Sequence, residues 1–157
     1  MMIVLAAIGI FATSGFNEDR FGTRPGDLAA PVELKNRYVD VKLASCRGQY
    51  VLLSFWNSGD AASRVLCNKY AAWQKKLAAG TVRMRHLAVN LDDDSDLFAA
   101  IVNADGLDAA AQFNLTGDAA AKVRRDYHLN EALGTLLIDP EGRIAAINPD
   151  FSKLAAL

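Results

Sequence analysis

Tyr50 to Arg64 reads YVLLSFWNSGDAASR. Val51, Leu52, Leu53, Phe55 and Trp56 form an almost unbroken apolar run rich in β-formers. Such a run marks a central strand covered on both faces. Asn57-Ser58-Gly59-Asp60 is turn and cap chemistry, and from Ala61 onward the residues favour helix. A strand that enters a helix through a tight turn is where many α/β folds place their chemistry.

Working outward, the helix is expected from Ala61 to Ala79, with Gly80 as its C-terminal glycine. Val65, Leu66, Tyr70, Trp73 and Leu77 recur at three- and four-residue spacings and define its expected buried stripe. Before the central strand, Tyr38 to Leu43 alternates like a short strand or hairpin arm, and Ala44 to Gln49 forms a turn. After the helix, Thr81 to Leu91 reads as the next strand. Asp92 to Asp96 caps a helix from Leu97 to about Ala104, Asp105-Gly106 closes it, and Leu107 to Gly117 reads as irregular. Asp118 is the expected cap of a helix over Ala119–Tyr127. Leu133–Ile138 and Arg143–Ile147 read as strands joined by the turn Asp139-Pro140-Glu141-Gly142, and Pro149–Leu157 holds a short last helix. Two β-α-β steps and a closing hairpin imply an α/β fold: a three-layer sandwich whose mixed central sheet carries helices on both faces.

The 157 residues make one domain, expected over 31–157, with 17–30 a Gly- and Pro-containing linker. Hydrophobic residues make up 52% and the formal net charge is −1, so the chain can build a core and has no basic excess for nucleic acid. Met1 to Ala12 is apolar and uncharged, shorter than the roughly 20 residues of a membrane span. Residues 1–16 are therefore a candidate signal peptide or anchor remnant, the only route to a membrane. An extracytoplasmic, periplasmic location follows if that reading holds, and a cytoplasmic one otherwise.

Two cysteines and two histidines are too few for a disulfide scaffold or a common structural zinc site. Cys46 precedes the central strand and Cys67 lies two turns into the helix. The strand rises about 3.3 Å per residue and the helix returns about 1.5 Å per residue. Seven helical residues leave the two cysteines too far apart for a disulfide, so Cys67 is expected to be a small buried apolar residue. Asp92, Asp94 and Asp96 match the opening of a calcium loop, but Leu97 and Asn103 stand where a glycine and a glutamate are needed. No metal site is expected. His86 and His128 are expected to be structural. Asn114-Leu115-Thr116 matches a glycosylation acceptor pattern of low specificity.

Several landmarks, in order, resemble the thioredoxin-like superfamily, in the branch of bacterial extracytoplasmic thiol-disulfide oxidoreductases and AhpC/TSA-like proteins. They are Pro25-Gly26-Asp27 with Ala30-Pro31, Gly48 to Trp56, Val89 to Asp92, Asp105-Gly106-Leu107, Tyr127-His128-Leu129, and Gly134 to Ile144. The resemblance covers residues 24–157 and implies the thioredoxin fold. Redox-active relatives carry Cys-x-x-Cys after the Phe-Trp strand, at the positions held here by Asp60 and Ser63. The first thiol there gains its low pKa from the helix N-terminus, and the second resolves the mixed disulfide. The family's cis-proline position falls on Gly134, or on Leu133 one residue earlier, and no proline lies between Pro31 and Pro140.

The resemblance therefore implies a redox-inactive member with no cofactor. Asp60 would cap the long helix, and the former active-site edge (Trp56, Asn57, Asp60, Ser63, Leu133 and Gly134) would bind a protein or peptide partner. The alternative is a residual thiol-dependent oxidoreductase or peroxidase using Cys67 or Cys46.

Overall fold

The computed structural model of the protein describes residues 21–77, 83–129 and 132–157. The readings placed on residues 1–16 and on Gly80 lie outside these. Two short strands come first, β1 (Glu33–Lys35) and β2 (Asp40–Lys42), paired antiparallel as a separate ribbon. A 3-10 turn over Leu43–Cys46 leads into β3 (Tyr50–Trp56), buried at every position after Tyr50. Then follow α1 (Ala61–Leu77), β4 (Met84–Asn90), α2 (Ser95–Ala104), β5 (Gln112–Asn114), α3 (Gly117–Asp126), β6 (Thr135–Ile138), β7 (Ile144–Ile147) and α4 (Phe151–Leu154).

The main sheet runs β5-β4-β3-β6-β7. β3 pairs in parallel with β4, from Tyr50–Met84 to Trp56–Asn90, and antiparallel with β6, from Val51–Ile138 to Ser54–Thr135. β4 and β5 are parallel, β6 and β7 antiparallel. The alternation of β3 divides the core. Val51, Leu53 and Phe55 face the side covered by the β1–β2 ribbon and by Ala120, Val123 and Tyr127 of the α3 region. Leu52 and Trp56 face the side covered by α1, α2 and α4. This is the expected three-layer α/β sandwich with a mixed sheet.

Four local readings need correction. Val65 is 52% exposed, whereas Ser63, Cys67 and Tyr70 form the buried line of α1. Helix phase sets this line: Cys67 packs with Trp56 and Ala88, and Tyr70 with Leu52 and Leu137, which leaves Val65 facing outward. The stretch read as irregular contains a 3-10 turn over Ala109–Ala111 and the edge strand β5. Three residues are too few to show periodicity, although Phe113 is fully buried. α2 begins at Ser95, because Asp94 Oδ1 accepts the N–H groups of Asp96 and Leu97 at 3.0 and 2.9 Å. α3 starts at Gly117 after Thr116, so Asp118 lies in the first turn and is not the cap.

The described part of the linker-like stretch packs on the domain. Ala29 and Ala30 are buried, Gly26 N–H donates to Ile144 O at 2.8 Å, and Ile144 N–H donates to Asp27 O at 2.9 Å. These bonds cover the outer edge of β7 at its start, which would otherwise be open to strand addition.

Candidate functional site

β3 delivers the chain to its C-terminal edge at Trp56, and four residues then form a pinned turn. Asn57 Oδ1 accepts Asp60 N–H at 2.8 Å. Ser58 donates its N–H and its hydroxyl to the Asp92 carboxylate, at 3.0 to 3.2 Å. Asp92 is held in turn by Asn90 Nδ2 at 2.7 Å, and Asn90 Oδ1 accepts Asn114 Nδ2 at 2.8 Å. Asn114 Nδ2 also donates to Asp92 O at 2.9 Å, and Asn114 Oδ1 accepts the Ser95 hydroxyl at 2.7 Å. The amide named as a glycosylation acceptor is thus committed to the ends of β4 and β5, and a glycan there would break these bonds. The three aspartates of the calcium-like pattern do separate jobs: Asp92 clamps the turn, Asp94 caps α2, and Asp96 lies in its first turn.

Asp60 Oδ1 accepts the N–H groups of Ala62 and Ser63 at 3.0 and 3.2 Å, while Asp60 O accepts Arg64 N–H at 3.2 Å. That is N-cap geometry: the carboxylate occupies N–H groups that a bound anion or thiolate would otherwise take. Ser63 turns its hydroxyl back to Asp60 O at 2.9 Å and is buried. Arg64 grips Asp105 through two bonds of 2.9 and 2.5 Å, with Asn68 adding a third at 3.0 Å, and so fixes α1 to the end of α2. The Arg64 guanidinium and the Asn68 amide hold the Asp105 carboxyl below its ordinary range.

On the other side of β3, Phe55 N–H donates to Gly134 O at 2.9 Å. Asn148, with φ +45°, lays its side chain against Gly134; its Oδ1 accepts Thr135 N–H at 2.8 Å, and its own N–H donates to Thr135 O at 2.7 Å. A Cβ at position 134 would meet Asn148 Oδ1 at 2.7 Å. Among the described residues no peptide bond is cis. Leu133 and Gly134 belong to a recess of about 220 Å³ whose walls include Phe55, Tyr127, Leu129 and Ile147.

The six edge residues therefore separate. Asn57, Asp60, Leu133 and Gly134 are partly exposed. Trp56 and Ser63, expected on the binding surface, are buried beneath it. Strand alternation turns Trp56 under the helices, where its ring lies 6.0 Å from Phe98 and its Nε1 donates to Gln112 Oε1 at 3.3 Å. The recess beside Gly134 is not walled by Asn57 or Asp60.

A buried polar cluster lies deeper. Ser54 Oγ is 2.9 Å from His86 Nε2 and 2.8 Å from Thr135 Oγ1, and all three residues are buried. Burial pushes the His86 pKa down to about 4, so the ring is neutral at pH 7. The sequence signal for this cluster is the serine that interrupts the apolar run of β3.

Both cysteines are free and buried. Cys67 packs with Trp56, Ala88, Ile101 and Val102 under α1 and α2, whereas Cys46 packs on the opposite face of the sheet with the ribbon. Burial pushes the Cys67 thiol up to about 12, far from a reactive thiolate at neutral pH.

The sheet order, the crossovers and the strand-turn-helix edge define a protein of the thioredoxin-like class. The AhpC/TSA family model matches residues 25–147, and the chain belongs to that family. Comparison with curated proteins gives no match. Among solved structures it is similar to a thioredoxin-like protein from Parabacteroides distasonis at 29% identity and TM-score 0.71, over 86% of this chain and 94% of that one. The thioredoxin domain of a thiol-disulfide oxidoreductase from Bacteroides vulgatus aligns at 19% identity and TM-score 0.75, over 86% and 98% of the two chains. A secreted thiol-disulfide isomerase from Corynebacterium glutamicum aligns at 20% identity and TM-score 0.64, over 83% and 81%. Among the described residues no helix is long and apolar enough to cross a membrane.

Proposed function

We propose that this AhpC/TSA-family protein is redox-inactive and acts as a binding module, holding a peptide or protein partner at the rim formed by Asn57, Asp60, Leu133 and Gly134. One observation carries the reading: the N-terminus of α1 is capped by the Asp60 carboxylate, while both thiols are buried on opposite faces of the sheet. A carboxylate at that place can neither attack a disulfide nor be oxidised to one. The recess beside Gly134, walled in part by Phe55, Leu133 and Ile147, offers a partner an apolar anchor point. An extracytoplasmic location is part of the proposal. It is supported by the uncharged apolar segment Met1–Ala12 and by the likeness to a secreted thiol-disulfide isomerase.

The test pairs a disulfide-reduction assay with thiol titration of the native protein. No turnover is expected, and no reaction of either thiol before unfolding. Turnover that disappears in Cys67→Ser or Cys46→Ser would overturn the proposal in favour of a residual thiol enzyme. The binding role is read from an NMR titration with extended apolar peptides. Shifts at Gly134 and Asn148 that Leu133→Glu removes are expected; a silent rim across the peptide set would refute it.

A further inference from the structure

A second cavity, of about 540 Å³, lies away from the Gly134 rim, between the β1–β2 turn and α2. That volume is typical of small-molecule sites, roughly 300–1,000 Å³. Its apolar lining includes Phe98, Val102, Leu107 and Ala109. Arg37 and Tyr38 stand at its margin, and Tyr38 is 53% exposed. The Arg37 guanidinium lies 4.6 Å from the Tyr38 ring centroid and donates to the Tyr38 hydroxyl. Among the described residues Arg37 is the one charged side chain lining the cavity, and no carboxylate pairs with it.

The walls are fixed before any ligand arrives. Asn36 Nδ2 donates to the carbonyls of Ala109, Ala110 and Gln112 at 3.1, 3.3 and 3.0 Å. Asn36 Oδ1 accepts the N–H groups of Tyr38 and Val39, both at 2.8 Å. A turn tied so firmly to a loop more than seventy residues away loses little freedom on binding.

We propose that this groove binds a small organic monocarboxylate with a planar apolar body. The apolar lining excludes a ligand that is charged all over. The single cation, with its forked donors, matches one carboxylate. The exposed Tyr38 ring and the Phe98 ring offer stacking partners for a planar body.

Naphthalene-2-carboxylate is the probe, titrated into the full chain and followed by NMR of the backbone amides and of the Trp56 indole N–H. That indole reports on the groove because it donates to Gln112, which lines it. Saturable shifts at Tyr38, Leu107, Gln112 and Trp56 are expected. The neutral 2-naphthamide and the Arg37→Ala variant should each bind about tenfold more weakly, the loss of one charge-assisted contact. Arg37 lies in an exposed turn, and an unchanged melting temperature of Arg37→Ala confirms that the fold is intact. Equal binding of acid and amide, shifts confined to the Gly134 recess, or no saturation at millimolar probe would each overturn the proposal. A concentration-dependent dimer that shuts the probe out would overturn it too, and would assign the groove to a second copy of the chain.

Discussion

Asp60 and His86 are the two residues whose chemistry says most about this molecule. Asp60 places its carboxylate at the start of α1 and satisfies two N–H groups that would otherwise lack partners. Asp60→Ala should lower stability by about 1 kcal/mol, the usual worth of a side-chain cap, and Asp60→Ser should restore most of it. Urea denaturation of the three proteins measures this, and an unchanged midpoint for Asp60→Ala would remove the capping role. His86 is buried neutral against Ser54, and its folded pKa of about 4 lies below its ordinary 6.5. The unfolded chain therefore binds the extra proton between these values. Stability from this group is complete above pH 6.5 and is lost as pH falls toward 4. At pH 4.5 the loss should reach about 2–3 kcal/mol. Carboxylates titrate in the same range, so the measurement is the difference between wild type and His86→Gln. The variant should show a flatter fall between pH 7 and pH 4.5, and parallel curves would refute the assignment.

At the scale of elements, the loop into β6 and the residue after β7 work as one unit. Asn148 adopts a left-handed conformation, caps Thr135 and fills the space over Gly134. Glycine suits position 134 because a Cβ would press on Asn148 Oδ1, and that oxygen is already committed to Thr135 N–H. Gly134→Ala should cost about 1–2 kcal/mol by displacing the amide. Asn148→Gly keeps the positive φ without strain and removes the obstacle, so the double variant should lose less than the sum of the two singles. Melting temperatures test this, and strict additivity would separate the two positions. Gly134 was singled out in the sequence, but its pairing with Asn148 was not legible, since the contact joins residues fourteen apart and Asn148 looks like an ordinary turn residue. The central strand and the hairpin were legible because long apolar runs and a Pro-Glu-Gly turn carry their own signals. β5 was not, because three residues show no period and its stability comes from pairing with β4. Trp56 and Ser63 were placed on the surface by analogy with an active-site edge. Side-chain direction, set by strand alternation and by helix phase, puts both underneath.

The whole molecule is divided by its sheet into two cores, and each core holds one thiol. Cys46 belongs to the core shared by the ribbon, the sheet and α3, and Cys67 to the core under α1 and α2. Reaching Cys67 requires lifting α1, which the Asp60 cap and the Arg64–Asp105–Asn68 cluster hold down at its N-terminal end. The Tyr70 hydroxyl pins the helix further along by donating to Pro149 O at 2.7 Å. Reaching Cys46 requires parting the ribbon from β3 on the other face. No single local opening exposes both. If the two cores melt together, as in most single domains of this size, a thiol reagent should modify both cysteines in one transition as urea is raised. The midpoint should coincide with that from circular dichroism. Two separated thiol transitions would show instead that the cores open independently. Reaction of Cys67 well below the unfolding midpoint would show that α1 detaches on its own. That last result would also reopen the question of thiol chemistry, because a helix that lifts in the native state could present Cys67 to a partner.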